Sequence, residues 1–285
     1  MPANYQSISK AAWQIRRDLL TMIYEAQSGH PASSLGMTDI FTALFIGKIL
    51  RHDPKRPEWD KRDYFFLSNG HISPVFYATL ARDGYFPKEE LKTFRQINSR
   101  LQGHPHFTFD LRYKVPGVEN SSGPLGQGLS QAAGMAVALK MDKKKNKVFC
   151  MMSDGEQQEG QIWEAYQFII HHQLNNLIGI IDCNNIQISG SVDKTLSLGN
   201  LKLKLLSFGF KVLEMNAHDF VDIFAKLELA KNETHKPIMI MAKSVPGKGV
   251  SFMENDYKWH GKAPNESEYN QAINELNLKE KASEQ

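Results

Sequence analysis

Asp154, Glu156 and Glu159 crowd into the eight residues SDGEQQEG (153–160), directly after the apolar run KVFCMM. A surface turn has no need of three carboxylates within six positions, whereas a metal centre does. Thirty residues after Asp154, a second apolar run ends in DCNNIQISG (182–190) and brings Asn184 to a comparable place. An aspartate carboxylate, an asparagine amide oxygen and a nearby backbone carbonyl form a hard oxygen set. Such a set suits Mg2+ or Ca2+, above all when a ligand's phosphates complete the shell. Gly155 admits a diphosphate close to the backbone. Asp-Gly and Asn-Asn are also common turn pairs, so it is the spaced combination that points to a site.

Two other sets of residues could contribute. In SSGPLGQGLSQAAGMAVALK (121–140), Gly123, Gly126 and Gly128 precede a helix rich in small residues. Free N–H groups at a helix start attract phosphate; a tight turn with close helix packing accounts for the same glycines equally well. The spacing is not the G-x-G-x-x-G of dinucleotide folds, and no ribose-binding acid follows at the expected distance, which argues against a nicotinamide dehydrogenase. Four histidines, His30, His71, His104 and His260, each adjoin a glycine in segments that read as loops. Imidazoles so placed are suited to acid–base work or to binding substrate hydroxyls.

These residues need a frame that brings them together. DYFFLS (63–68), KVFCMM (147–152), LIGIID (177–182), FKVLEM (210–215) and PIMIMAK (237–243) read as strands, most of them apolar enough to be covered on both faces. Helical periodicity falls near 7–27, 38–50, 72–82, 126–144, 160–174 and 219–231. Alternating strands and helices predict an α/β fold with a mainly parallel sheet between helical layers. Ligands bind beyond the carboxyl ends of the strands in such sheets, which is where Asp154 and Asn184 would lie. The stretch 84–122 is loop-rich, and 279–285 reads as a frayed helix end.

Composition narrows the function classes. With 41% hydrophobic and 23% charged residues and a net charge of +3, the chain has globular balance and no basic field that calls for nucleic acid or an anionic membrane. No apolar run is long enough to span a bilayer, and the N-terminus is charged and amphipathic. Cys150 and Cys183, the two cysteines, lie at or near the ends of apolar runs and read as free thiols. A cytoplasmic location is the simplest expectation.

Taken in order, SGHP (28–31), LSNGH (67–71), GPLGQG (123–128), SDG (153–155) with NN (184–185), and HGKAP (260–264) form one pattern. SDG…NN is similar to the thiamine diphosphate signature GDG…NN. From about residue 8 to about 275 the chain resembles the N-terminal, diphosphate-binding part of a transketolase. The resemblance implies a three-layer α/β/α fold of the diphosphate-binding type over 1–285 as one domain, without the pyrimidine-binding and C-terminal domains. It implies that Asp154, Asn184 and the Ile186 carbonyl ligate Mg2+ or Ca2+. Gly155, Glu156, Asn184, Gly123, Pro124 and Leu125 would border thiamine diphosphate. His71 would contact the diphosphate, His30 and His260 would shuttle protons, and His104 would hold a donor hydroxyl. Glu159 and Glu164 would lie at a subunit interface.

The further expectation is a split enzyme. This chain would be the N-terminal subunit of a transketolase, moving a two-carbon ketol unit between sugar phosphates. A separate C-terminal subunit would supply the pyrimidine-binding domain and its catalytic glutamate, in an α2β2 assembly. Two departures from the family pattern bear on substrate: His106 replaces an acidic residue, and the loop from His104 to Gly123 is longer. A specialised ketol transferase for an unusual sugar is therefore an alternative, and a non-catalytic regulatory copy is another.

Overall fold

The computed structural model describes residues 5–283. Helices α1 (Tyr5–Ala26) and α2 (Pro31–Leu44) lead to strand β1 (Tyr64–Leu67) and α3 (Ser73–Asp83). A long irregular segment follows, then α4 (Gln127–Met141), β2 (Val148–Ser153), α5 (Gly160–His171) and β3 (Leu177–Cys183). A small hairpin, β4 (Ile186–Gln187) and β5 (Gly190–Ser191), precedes α6 (Val192–Leu196) and α7 (Leu201–Phe208). The chain ends with β6 (Lys211–Asn216), α8 (Phe220–Asn232), β7 (Ile238–Lys243) and α9 (Glu266–Ser283).

Five strands form one parallel sheet in the order β1-β2-β3-β7-β6. Successive side chains on a strand point to opposite faces, and here both faces are apolar. Phe149 and Met151 of β2 enter the core beneath α1, α2, α3, α8 and α9. Val148, Cys150 and Met152 enter the second core, beneath α4, α5 and α7. All of β2, and β3 up to Asp182, is buried, so these strands read as continuous apolar runs. β6 is an edge strand on which Met215 alone is buried. Both cysteines are free, and no helix among the described residues is long and apolar enough to cross a membrane.

The five expected strands match within a residue or two. Helix α2 does not match its expected range of 38–50. It starts at Pro31, a residue whose fixed φ and missing N–H suit the first turn, and every residue in it is buried. A Cβ added at Gly36 would stand 3.0 Å from the Val245 carbonyl oxygen, so the small residues here serve a close approach to the 244–247 loop. Helix α9 was expected only as a frayed end at 279–285, of which 284 and 285 lie outside the described residues. It runs from Glu266 and docks on α1 through stacked Tyr24 and Tyr269 rings 4.3 Å apart and an Arg17–Glu280 ion pair at 2.7 Å. Only Ala272 and Leu276 are buried on it, too few for the periodicity to show.

Close packing also places the start of α4. A Cβ on Gly128 would come within 2.5–2.7 Å of Ser68, backbone included, at the carboxyl end of β1. Gly128→Ala should therefore lower stability by about 1–3 kcal/mol, read as a lower urea midpoint at unchanged slope. An unaltered midpoint would contradict this packing.

Candidate functional site

Asp154 and Asn184 meet at the carboxyl edge of the sheet because β2 and β3 are neighbours, with Ser153 opposite Asp182. Asp154 is buried; its Oδ1 accepts from Gly155 N at 2.7 Å and its Oδ2 from Asn185 N at 2.6 Å. Asn184 is oriented from behind. Its Nδ2 donates to Asp182 Oδ2 at 2.8 Å and to Ser33 Oγ at 3.3 Å, which leaves Oδ1 facing the Ile186 N–H at 2.9 Å. Asp182, fully buried, also accepts from Ser244 Oγ. Burial pushes the Asp154 carboxyl up to about 6 against the pull of its N–H donors, and Asp182 up to about 7.

Neither carboxylate has a cationic partner among the described residues, and uncompensated buried charge is costly. A divalent cation on Asp154, the Asn184 amide oxygen and the Ile186 carbonyl would supply the missing positive charge. Among the described residues no three His, Cys, Asp or Glu side chains cluster to hold a metal. The candidate set instead contains one carboxylate and needs oxygens from a ligand. Gly155 fits such a ligand: a Cβ there would meet nothing closer than 3.7 Å, so the glycine leaves open space and avoids no clash.

The four histidines converge on the same cavity. His30 stands immediately before α2, His71 lies in the turn before α3, and His260 follows a short turn at Tyr257–Trp259. Ring centroids are 5.1 Å apart for His30–His71 and His71–His260, 5.5 Å for His30–His260 and 6.5 Å for His30–His104. With Ser33, Gly123, Leu125, Gly155, Asn184 and Ile186 they enclose about 440 Å3, the volume of a small-molecule site. Burial drives His30 down to about 3, helped by His260, Arg95 and His104. Burial also depresses His71, His104 and His260, with the other three histidines adding to the first and Arg95 to the second. The Nδ1 atoms of His30 and His260 are buried without a partner, as are both amide atoms of Asn69 beside Gly70 and His71. Such orphans suit a polar ligand seated among neutral imidazoles.

Other expected residues are placed differently. Glu156 does not line the cavity. It is fully buried, and its carboxylate accepts from Gly126 N at 2.6 Å, Ser153 N at 3.1 Å and Ser68 Oγ. Gly128 N in turn donates to Ser68 Oγ at 3.0 Å. The amides of Gly126 and Gly128, expected to be free for phosphate, are thus taken up within the protein, and Glu156 ties the ends of β1 and β2 to the start of α4. Pro124 is exposed and off the cavity wall, while Gly123 and Leu125 are on it. Glu159 and Glu164 are exposed, Glu159 at the cavity rim. The residues not anticipated are Asp182, Ser244, Ser33 and Asn69. Asp182 ends its apolar run two positions before Asn184 and could have been noticed; Ser33 and Ser244 carry no local signal.

Because desolvation disfavours their charged forms, these imidazoles should stay neutral at neutral pH. A histidine whose folded pKa is depressed contributes stability above about 6.5, which is lost as pH falls towards the folded value. NMR of the ring Cε1–H resonances should show His30 still untitrated at pH 5; a midpoint near 6.5 would contradict its desolvated placement.

Comparison with known proteins agrees with this geometry. Residues 8–283 match the family described as transketolase, thiamine diphosphate binding domain. The chain is 38% identical over 261 residues to an apulose-4-phosphate transketolase subunit of Phocaeicola vulgatus, covering 92% of this chain and 90% of that one. It is 37% identical to the 6-deoxy-6-sulfo-D-fructose transketolase subunit SqwG of a Clostridium species, covering 92% and 93%. Among solved structures, a transketolase variant from Pichia stipitis superposes with a TM-score of 0.86 at 32% identity, over 94% of this chain and 40% of that one. The transketolase of Campylobacter jejuni gives 0.82 at 33%, over 96% and 47%. The chain thus spans less than half the length of these solved transketolases and about nine-tenths of the two relatives that are themselves subunits. This chain belongs to the transketolase family through the thiamine diphosphate-binding domain, and its parallel sheet is that family's fold.

Proposed function

We propose that this chain is the N-terminal subunit of a thiamine diphosphate-dependent transketolase. Together with a separate C-terminal subunit it transfers a two-carbon ketol unit from a ketose phosphate to an aldose phosphate. The observation that carries the reading is the meeting of Gly155, Asn184 and Ile186 with His30, His71, His104 and His260 around one cavity at the strand ends, with Asp154 buried next to Gly155 and bonded to the Asn185 N–H. Asp154, Asn184 and the Ile186 carbonyl hold Mg2+ or Ca2+, and Gly155, Gly123, Leu125 and His71 border the diphosphate. The cofactor, when bound, supplies the carbon nucleophile and electron sink for cleaving and forming the sugar's carbon–carbon bond.

This chain's own groups do the positioning and proton work. A neutral imidazole both donates and accepts, so His30 and His260 can pass protons to and from sugar hydroxyls without adding charge to the cavity. His104, exposed at the mouth, orients a donor hydroxyl. The glutamate that acts on the cofactor's pyrimidine ring comes from the partner subunit. Glu159 and Glu164 face the join between subunits in an α2β2 assembly, which we place in the cytosol on the exchange of pentose phosphates. A second reading is favoured by the relatives' names: two subunit relatives are named for apulose 4-phosphate and 6-deoxy-6-sulfo-D-fructose, so the donor here can be equally specialised.

Ketol transfer should be negligible with this chain alone and strong once Mg2+ and a C-terminal subunit are added. Asp154→Ala should cost the assembly at least about a hundredfold in kcat/KM at limiting metal. Robust turnover by the chain alone, or an indifferent Asp154→Ala variant, would overturn the reading.

A further inference from the structure

Glu156 stands outside the cavity, yet each donor to its carboxylate belongs to a segment that builds the cavity wall. Gly126 N, bonded to Oε1 at 2.6 Å, follows directly on Gly123 to Leu125. Ser153 N, bonded to Oε2 at 3.1 Å, belongs to a wall residue just before Asp154 and Gly155. Ser68 Oγ donates to Oε1 from the end of β1, at the start of the turn that carries His71. These segments also touch one another. A Cβ on Gly70 would come 3.0 Å from Gly123 N, so the turn of His71 lies backbone to backbone against the loop of Leu125. Gly126 takes φ 84°, in the left-handed region that favours glycine, and stands immediately before α4.

The carboxylate is fully buried and has no cation within ion-pair distance among the described residues. An unpaired buried charge is costly, and tying segments together does not by itself call for one. What sets a carboxylate apart is that both of its oxygens only accept. A glutamine of the same shape would set its own NH2 against one of the donors. Three donors from three segments match the ionised group, and bonds to a charged acceptor are the stronger kind.

We propose that Glu156 is a positioning residue for cofactor binding: its carboxylate fixes the turn of His71, the loop Gly123–Leu125 and the strand end Ser153–Gly155 at the mutual spacing that a diphosphate requires. It touches neither cofactor nor sugar and acts through the backbone it holds, so the site is organised before the ligand arrives. The proposal rests on the thiamine diphosphate reading for what the cavity takes; the junction of three segments stands on geometry alone.

The test is amide hydrogen exchange of the full chain without cofactor, resolved by residue, in wild type and Glu156→Gln. Of the Gly126 and Ser153 amides, the one that meets the glutamine NH2 should exchange about tenfold faster or more, as for loss of a charge-assisted bond. Amides of α8, packed on the other face of the sheet, should stay within about twofold. No change at either amide, or equal acceleration in α8, would overturn the assignment, since a residue that only stabilised the fold would act on all protected amides together. Should Glu156→Gln not fold, Ser68→Ala decides: it keeps the carboxylate and removes one donor. Exchange should then quicken at Gly70 and Ile72, whose amides close the turn of His71, and not at Ser153; an unchanged turn would overturn the junction. Calorimetry reads the consequence for binding. Thiamine diphosphate with Mg2+ should bind Glu156→Gln, or Ser68→Ala in its place, about tenfold more weakly or worse, and unchanged affinity would overturn the positioning role. A wild-type chain that binds no thiamine diphosphate would strike at the proposed function, and the exchange pattern would still decide whether Glu156 fixes the three segments.

Discussion

Two carboxylates buried at the ends of adjacent strands, Asp154 and Asp182, set the constraint on which the surrounding structure depends. The Asp154 N–H donates to the Asp182 carbonyl at 3.0 Å, so the sheet's own ladder fixes one strand end against the other. The chain stabilises these acids with dipoles: two backbone N–H groups for Asp154, and Ser244 and the Asn184 amide for Asp182. Dipoles only partly replace lost water, which is why both acids hold protons more tightly than when exposed. Carboxyls of raised folded pKa make folding less favourable as pH climbs from about 4 towards 7. A cation at Asp154 would remove that penalty, which gives the unpaired acid its physical sense.

The loop that carries Ser244 is itself held from the far side. Arg16 of α1 pairs with Asp39 of α2 at 2.7 Å, and Asp39 accepts from His218 Nδ1 at 3.0 Å. His218 Nε2 in turn accepts from Val245 N at 2.8 Å, and Gly247 N donates to Ala32 O at 2.8 Å. Burial alone would raise Asp39, but Arg16 and His218 bring it down to about 2, so it stays ionised. One continuous polar frame thus runs from the outer helices to the loop behind Asn184 and to the first turn of α2, where His30 stands. Positioning of Asn184 and of the histidines is mechanically one problem.

Much of this was legible from residues alone, and the gaps have physical causes. Strands β2, β3 and β7 lie in the sheet's middle, so unbroken apolar runs announced them. Asp154 and Asn184 were legible because one helix and one strand separate them, which makes their strand ends neighbours. α2 was misplaced because it is buried all round and lacks a polar face to give a period. Glu156 differs from its expected place because only its neighbour Gly155 lines the cavity, while the three donors that claim its carboxylate come from the end of β1, from β2 and from the start of α4. Ser33, Ser244 and the Asp39–His218 frame depend on contacts between distant parts of the chain, which no local pattern records.

The same geometry explains why binding and turnover belong to different chains in this account. The strand ends and histidines are placed to seat a diphosphate and a sugar, whereas under the proposed function the acid that would act on the far ring of the cofactor belongs to the partner subunit. Under the proposed function, what this chain must do unaided is bind the diphosphate through a divalent cation. Calorimetry of thiamine diphosphate into the chain, with Mg2+ and with the metal removed by chelator, tests that most directly. Binding should be saturable with Mg2+ and lost without it. Binding of equal strength in both conditions, or none in either, would contradict it.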